Sequence, residues 1–241
     1  MTSEAGAAGG PVAIVCQARM TSSRLPGKVL RPLAGRPALQ YMVERLGHAT
    51  RPDRIVVATS VDASDDPVAE LCERLQIDCH RGPLDDVAGR FHEVIERWSL
   101  AAFVRVTGDS PLLDPRLVDH ALELYAEGGA GVVTNVFPST FPSGQSVEVV
   151  GAGAFRQAYQ QMEDAYDREH VTPYLYRHHE RFGVRNFGAP EDLSAVDVSI
   201  DTSEDAALID AIVERMREPH SEYGWADVVR LHREVSTAAS R

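Results

Sequence analysis

The chain has 241 residues, 44% hydrophobic and 25% charged, a balance that fits an ordinary α/β enzyme able to bury a sizeable core. Its 24 Lys and Arg against 36 Asp and Glu leave a formal net charge of -12, a field that repels nucleic acid and confines any phosphate site to a local basic pocket. No apolar run approaches the roughly 20 residues of a membrane span, and the Ala- and Gly-rich start lacks the basic and apolar regions of a signal peptide, so a cytoplasmic protein without membrane or nucleic acid partners is expected.

Met1 to Gly10 reads as a disordered tail of small residues, followed by one domain over 11–241. Val12 to Val15 is too short and too β-branched for a helix and predicts a buried strand. Ala38, Leu39, Met42, Val43 and Leu46 recur at helical spacing, Ile55 to Ala58 is a strand, and Val68, Leu71, Cys72 and Leu75 mark a second helix. A helix from Val87 to Trp98, a strand from Phe103 to Thr107, a helix from Pro115 to Glu127 and a strand from Gly131 to Asn135 continue the alternation. That order implies a mostly parallel central sheet flanked by helices.

After Asn135 the rhythm changes to a Pro- and Ser-rich loop, an alternating strand from Ser146 to Val150, and helical stretches around Phe155 to Met162 and Glu169 to His178. Residues from about 136 to 183 therefore read as an insertion over the active-site end of the sheet. A strand near Val184 to Phe187, a short strand Val196 to Ile200 and a final helix opened by Thr202-Ser203-Glu204-Asp205, with Thr202 and Asp205 as a capping box, complete the chain. Cys16, Cys72 and Cys79 lack C-x-x-C spacing and read as small buried hydrophobes.

The segment richest in chemistry follows the first strand: Gln17-Ala18-Arg19-Met20-Thr21-Ser22-Ser23-Arg24-Leu25-Pro26-Gly27-Lys28. Open α/β sheets bind ligands beyond the carboxyl ends of their strands, and three cations with three hydroxyls there suit a polyphosphate. It is not a P-loop, because G-x-x-x-x-G-K-[ST] is absent. Asp109, in Thr107-Gly108-Asp109-Ser110-Pro111, and Asp201, after Asp197-Val198-Ser199-Ile200, both end strand patterns and can share a Mg²⁺ site, although a turn or a helix cap also accounts for such residues. Gly151-Ala152-Gly153 lacks the third glycine of a dinucleotide site, and His178-His179 lacks the companions of a zinc site.

Together Q-A-R-M-T-S-S-R-L-P-G-K-V-L at 17–30, R-G-P-L-D-D-V at 81–87, R-V-T-G-D-S-P-L-L-D at 105–114, R-E-H-V-T-P-Y at 168–174 and I-D-T-S-E-D at 200–205 resemble the cytidylyltransferases that activate sugar acids as CMP conjugates. The spore-coat polysaccharide biosynthesis branch, the SpsF-like proteins, is the nearest pattern. The resemblance implies a Rossmann-like (GT-A-like) nucleotidyltransferase fold, an inserted acceptor and dimerisation segment, and a homodimer. It further implies that Arg19, Ser23, Arg24 and Lys28 contact the CTP phosphates and that Asp109 and Asp201 hold Mg²⁺. Gln17, Ala18, Ser22, Thr107 and Gly108 lie inside the same motifs and are carried with the nucleotide site.

The expected reaction is attack of an acceptor oxygen on the α-phosphorus of CTP, with pyrophosphate leaving. Asp86 and Arg90, at the start of the helix from Val87, are expected to close the site or cap the helix. Phe137 to Glu148 and Arg168-Glu169-His170 should supply the acceptor pocket, with His170 polarising or deprotonating a sugar acid, sugar phosphate or phosphonate. Phe141-Pro142-Ser143-Gly144-Gln145-Ser146 departs from the family's Tyr-Pro-Asp-Gly-x-Asp type of segment, with Ser143 and Ser146 in place of acids expected near the acceptor. A nucleotide-sugar glycosyltransferase and a non-catalytic nucleotide sensor are the alternatives; the lone acid of Gly108-Asp109-Ser110, where such transferases carry D-x-D, and the cation-rich loop weigh against the first.

Overall fold

The computed structural model describes residues 9 to 239, so the tail expected over Met1 to Gly10 lies almost wholly outside the described residues. In chain order the strands are β1 (Val12–Gln17), β2 (Pro32–Leu33), β3 (Arg36–Pro37), β4 (Arg54–Ser60), β5 (Asp78–Gly82), β6 (Ala102–Thr107), β7 (Val132–Thr134), β8 (Glu148–Gly151) and β9 (Val184–Asn186). The helices are α1 (Ala38–Leu46), α2 (Asp66–Leu75), α3 (Val87–Arg97), α4 (Pro115–Ala126), α5 (Ala152–Tyr159), α6 (Ala165–His170), α7 (Pro173–Arg177), α8 (His179–Phe182), α9 (Ser203–Val213) and α10 (Trp225–Ala239). None of the described helices is long and apolar enough to cross a membrane.

Seven strands form the main sheet in the order β5-β4-β1-β6-β8-β7-β9, while β2 and β3 make a separate antiparallel ribbon. The β5-β4-β1-β6 half is parallel, β8 runs antiparallel to both neighbours, and β9 is parallel to β7. This is the mostly parallel, Rossmann-like arrangement. Because β1 leads to β4 on one side and the chain later returns to β6 on the other, the carboxyl ends of β1 and β6 flank the switch point where such sheets bind ligands.

The alternation of strand side chains sets the two layers. Ile14 and Cys16 of β1 face α1, α2 and α4 through Leu39, Met42, Leu71 and Val118, whereas Ala13 and Val15 face α3 and α5 through Phe91, Val94 and Phe155. A third cluster joins Tyr41 of α1 to Ile209 of α9 and Val228 of α10.

Arg45 anchors this third layer. It is fully buried, and its guanidinium donates to the carbonyls of Leu112, Leu113, His220 and Tyr223. Replacing Arg45 with Met strands those acceptors, so Arg45→Met is expected to lower stability by about 2–4 kcal/mol. A denaturant midpoint unchanged from wild type would show that the carbonyls find other partners.

Several expected elements are redrawn. Val196 to Ile200 is not a strand: Asp197 makes one isolated bridge to Ser143, and its carboxylate accepts from the Ser199 N–H and hydroxyl, a local turn that competes with a ladder. The helix expected over Glu169 to His178 breaks at Val171, whose φ of 74° no right-handed helix can contain, and α7 restarts with Pro173 in its first turn, where a missing N–H costs nothing. The helix expected from Phe155 to Met162 starts earlier, at Ala152, after Gly151. Sequence patterning missed β5, the β2–β3 ribbon and α10.

Candidate active site

Beyond β1, the Gly27 N–H donates to the Met20 carbonyl at 2.8 Å, closing the cation-rich loop, and Gly27 takes a φ of 74° there. Asp65, a buried carboxylate, fastens the loop from below: it accepts from the Met20 N–H at 2.6 Å and from the Ser60 N–H and hydroxyl. Gly108 sits beside the exit of β1, where a Cβ would lie 3.0 Å from that of Ala18 and 3.1 Å from the Gln17 carbonyl oxygen. Any larger residue would push the Asp109 turn away from the loop.

Asp109 and Asp201 converge. The Ile200 N–H donates to the Asp109 carbonyl at 2.8 Å, so a backbone bond, rather than a strand, draws the two segments together. Lys28 Nζ donates to Asp109 Oδ2 at 2.5 Å and to Asp201 Oδ1 at 2.6 Å, and Arg24 pairs with Asp201 Oδ2 at 2.8 Å. The Lys28 side chain is 12% exposed and each carboxylate 24%. Burial works against the Lys28 charge, but Asp109 and then Asp201 outweigh it and raise the ammonium above the usual lysine value. Asp201 does not cap α9, because Thr202 and Asp205 form the capping box. Two carboxylate oxygens thus meet on one cation, a hard donor set suited to Mg²⁺. Among the described residues no group of three or more His, Cys, Asp and Glu gathers as a metal cage, so a cation here would draw further oxygen ligands from nucleotide and water.

A cavity of about 460 Å³ joins these parts. Gln17, Ala18, Arg19, Ser22, Ser23, Arg24 and Lys28 line it from β1 and its loop; Thr107, Gly108 and Asp109 come from the end of β6, and Arg90, His170 and Asp201 complete it. Arg90 is 1% exposed, and its Nε and one terminal nitrogen have no hydrogen-bond partner. Such a guanidinium is costly to leave unpaired.

Of the expected nucleotide contacts only Asp86 lies outside the cavity lining. Its Oδ1 caps α3 by accepting from the Gly89 N–H, and its Oδ2 accepts from Tyr159 and from Arg168 at 2.6 Å. That bond also occupies Arg168, which stacks over the Tyr159 ring and stays out of both cavities. Arg19 pairs with Glu169 at 3.1 Å, so both bonds tie α6 to the nucleotide side.

A second cavity of about 340 Å³ adjoins the first and shares Arg105, Thr107 and His170 with it. Ser146, Glu148, Tyr166, Thr172 and Tyr176 give it a hydroxyl-rich wall. Ser146 therefore lies where an acceptor was expected, but Ser143 does not: its hydroxyl meets Ser199 at 3.3 Å. Gln145 is structural, bridging the Asp114 N–H and the Leu112 carbonyl. Sequence reading missed Arg105, Asp65 and Tyr176. Arg105 carried a signal, a lone cation inside the apolar run Ala102 to Val106.

Known proteins resemble this chain over most of its length. The profile of a family described as cytidylyltransferase matches residues 12–223. A protein of Methanocaldococcus jannaschii is 35% identical over 80% of this chain and 79% of its own length. The spore coat polysaccharide biosynthesis protein SpsF of Bacillus subtilis is 32% identical over 95% of this chain and 98% of its own. The structure of a cytidylyltransferase from Leptospira borgpetersenii superposes with a TM-score of 0.89 at 28% identity, covering 95% of this chain and 96% of that one.

Proposed function

This chain belongs to the cytidylyltransferase family, and from that premise we propose that it transfers CMP from CTP to a small anionic acceptor, releasing pyrophosphate in a Mg²⁺-dependent reaction. One observation carries the reading: the loop cations after β1 and the carboxylates Asp109 and Asp201 line one cavity, and a second, hydroxyl-rich cavity opens beside it.

In this reaction Arg19 and Arg24 exchange Glu169 and Asp201 for phosphate oxygens, with Lys28 and the Ser22 and Ser23 hydroxyls completing the grip. Arg90 supplies charge from the wall. Asp109 and Asp201 would hold the Mg²⁺, which when bound neutralises phosphate charge and polarises the phosphoryl group. His170 faces both cavities and takes the attacking hydroxyl's proton on a ring nitrogen when the acceptor is a sugar acid; a phosphate or phosphonate oxygen attacks as the anion it already is. The acceptor oxygen bonds to the α-phosphorus and the bond to the bridging oxygen breaks. Pyrophosphate departs with its charge balanced by Arg19 and Lys28. The acceptor is a sugar acid, sugar phosphate or phosphonate, and the working form is a homodimer.

Two variants test the assignments apart. Arg90→Met removes a buried, incompletely paired charge, so CTP should bind about 10- to 100-fold more weakly while thermal stability holds or rises. Calorimetry with CTP, alongside a melting curve, checks this; unchanged affinity would remove Arg90 from the site. With a sugar acid as acceptor, His170→Asn should lower kcat by about 10²-fold and leave CTP affinity within about twofold, as a residue acting on the acceptor must. A kcat equal to wild type would dismiss His170 as the base.

A further inference from the structure

Arg105 and Glu148 are directly opposed across the antiparallel pair β6–β8, the seam where the sheet stops being parallel. Glu148 is 4% exposed, and an arginine terminal nitrogen donates to its carboxylate. Tyr176 donates its hydroxyl to the other carboxylate oxygen, Oε1. Burial, and then the Glu148 charge, push the Tyr176 phenol well above its usual pKa, so this donor keeps its proton. On the opposite side, Arg105 Nε donates to Gln17 Oε1 at 3.0 Å. The guanidinium is therefore clamped from β1 and from β8, and it lines both the nucleotide cavity and its hydroxyl-rich neighbour.

A buried ion pair is expensive to desolvate and is weak evidence for stability. What this pair does achieve is direction: bonds that use Nε and one terminal nitrogen fix a planar fork at the boundary of two cavities. The arginine expected at the acceptor, Arg168, is held instead by Asp86 and Tyr159. Among the described residues Arg105 is the one arginine or lysine lining the second cavity.

We propose that Arg105 is the residue that binds the acceptor's anionic group and sets its approach to the nucleotide, and that Glu148 and Tyr176 are positioning residues that aim it. The proposal rests on the cytidylyl transfer reading above. A cation at this boundary lowers the repulsion between an acceptor anion and the triphosphate, and its fork suits the oxygens of a carboxylate, a phosphate ester or a phosphonate alike.

The test uses the full chain, saturated first with CMP so that no turnover occurs. CMP and CTP binding by calorimetry judges the nucleotide reading by itself. A 2-keto sugar acid, a hexose phosphate and an alkylphosphonate are then titrated separately, which tells the anion sources apart. The acceptor-class anion that binds wild type should bind Arg105→Gln about 10- to 100-fold more weakly, with CMP affinity within about twofold. Arg105→Lys should recover part of the loss, and Tyr176→Phe should fall between. Because Arg105→Gln strands a buried carboxylate, Arg105→Gln/Glu148→Gln provides a neutral pair that can fold, and it should show the same anion defect.

Equal anion binding in wild type and the folded double variant would overturn the proposal. So would failure of every anion to bind wild type loaded with CMP, or loss of CMP affinity in parallel with anion affinity.

Discussion

Asp109→Ala and Asp201→Ala are each expected to cut pyrophosphate release by a factor on the order of 10³ or more, equivalent to about 4 kcal/mol of transition-state stabilisation. The fold should survive both changes. The contact that joins the two segments is the Ile200 N–H to the Asp109 carbonyl, which an alanine keeps. At Asp201, α9 keeps its cap because Thr202 and Asp205 provide it. Both carboxylates are partly exposed, so losing their pairs with Lys28 and Arg24 should change stability by no more than about 1 kcal/mol. Circular dichroism and melting curves close to wild type, together with lost turnover, are the expected pair of results. Activity within tenfold of wild type in either variant would refute the shared role of the two acids.

Lys28→Met should give the second largest loss, on the order of 10²- to 10³-fold in turnover, because it removes a fixed positive charge where phosphate charge develops. A further effect separates this variant from a merely damaged site. Lys28 Nζ sits within hydrogen-bonding distance of both carboxylates, so it competes with any other cation for the same oxygens. In Lys28→Met that competition is gone, and Mn²⁺, used as a spectroscopic probe without nucleotide, should bind more tightly than to wild type even as turnover falls. Equal or weaker Mn²⁺ binding would mean that Asp109 and Asp201 do not act together on one cation.

How much of this was legible in the sequence depended on whether side-chain chemistry or backbone geometry carried the information. The loop from Gln17 to Lys28 stands out because no helical or strand period accounts for its cations in an acidic chain, and the structure gathers its residues around one cavity. Of the parallel half of the sheet, β1, β4 and β6 follow from apolar runs alternating with helical spacing, whereas β5, Asp78–Gly82, has no such run. By contrast, the Val196 to Ile200 pattern suggested a strand, and the Asp197 side chain claimed the backbone for a turn instead.

By sequence alone Asp86 reads either as closing the site or as capping the helix; in the structure its Oδ1 caps α3, and Tyr159 and Arg168 take its second oxygen. The role of Asp65 was hidden because nothing local reveals that an acid 45 residues downstream will receive the Met20 N–H. Arg105 was visible as an oddity, but its partners Gln17 and Glu148 come from strands on either side of β6, and only the sheet order joins them. Residues that act through local chemistry were readable; those that act through register and topology were not.

The measurement that bears most directly on the account is pyrophosphate release from each nucleoside triphosphate with Mg²⁺, across sugar acids, sugar phosphates and phosphonates, with Asp109→Ala as the control. The account predicts release that requires CTP together with one class of acceptor and disappears in the control. Release indifferent to the base, or no release from any pair while a nucleotide sugar alone binds tightly, would contradict it.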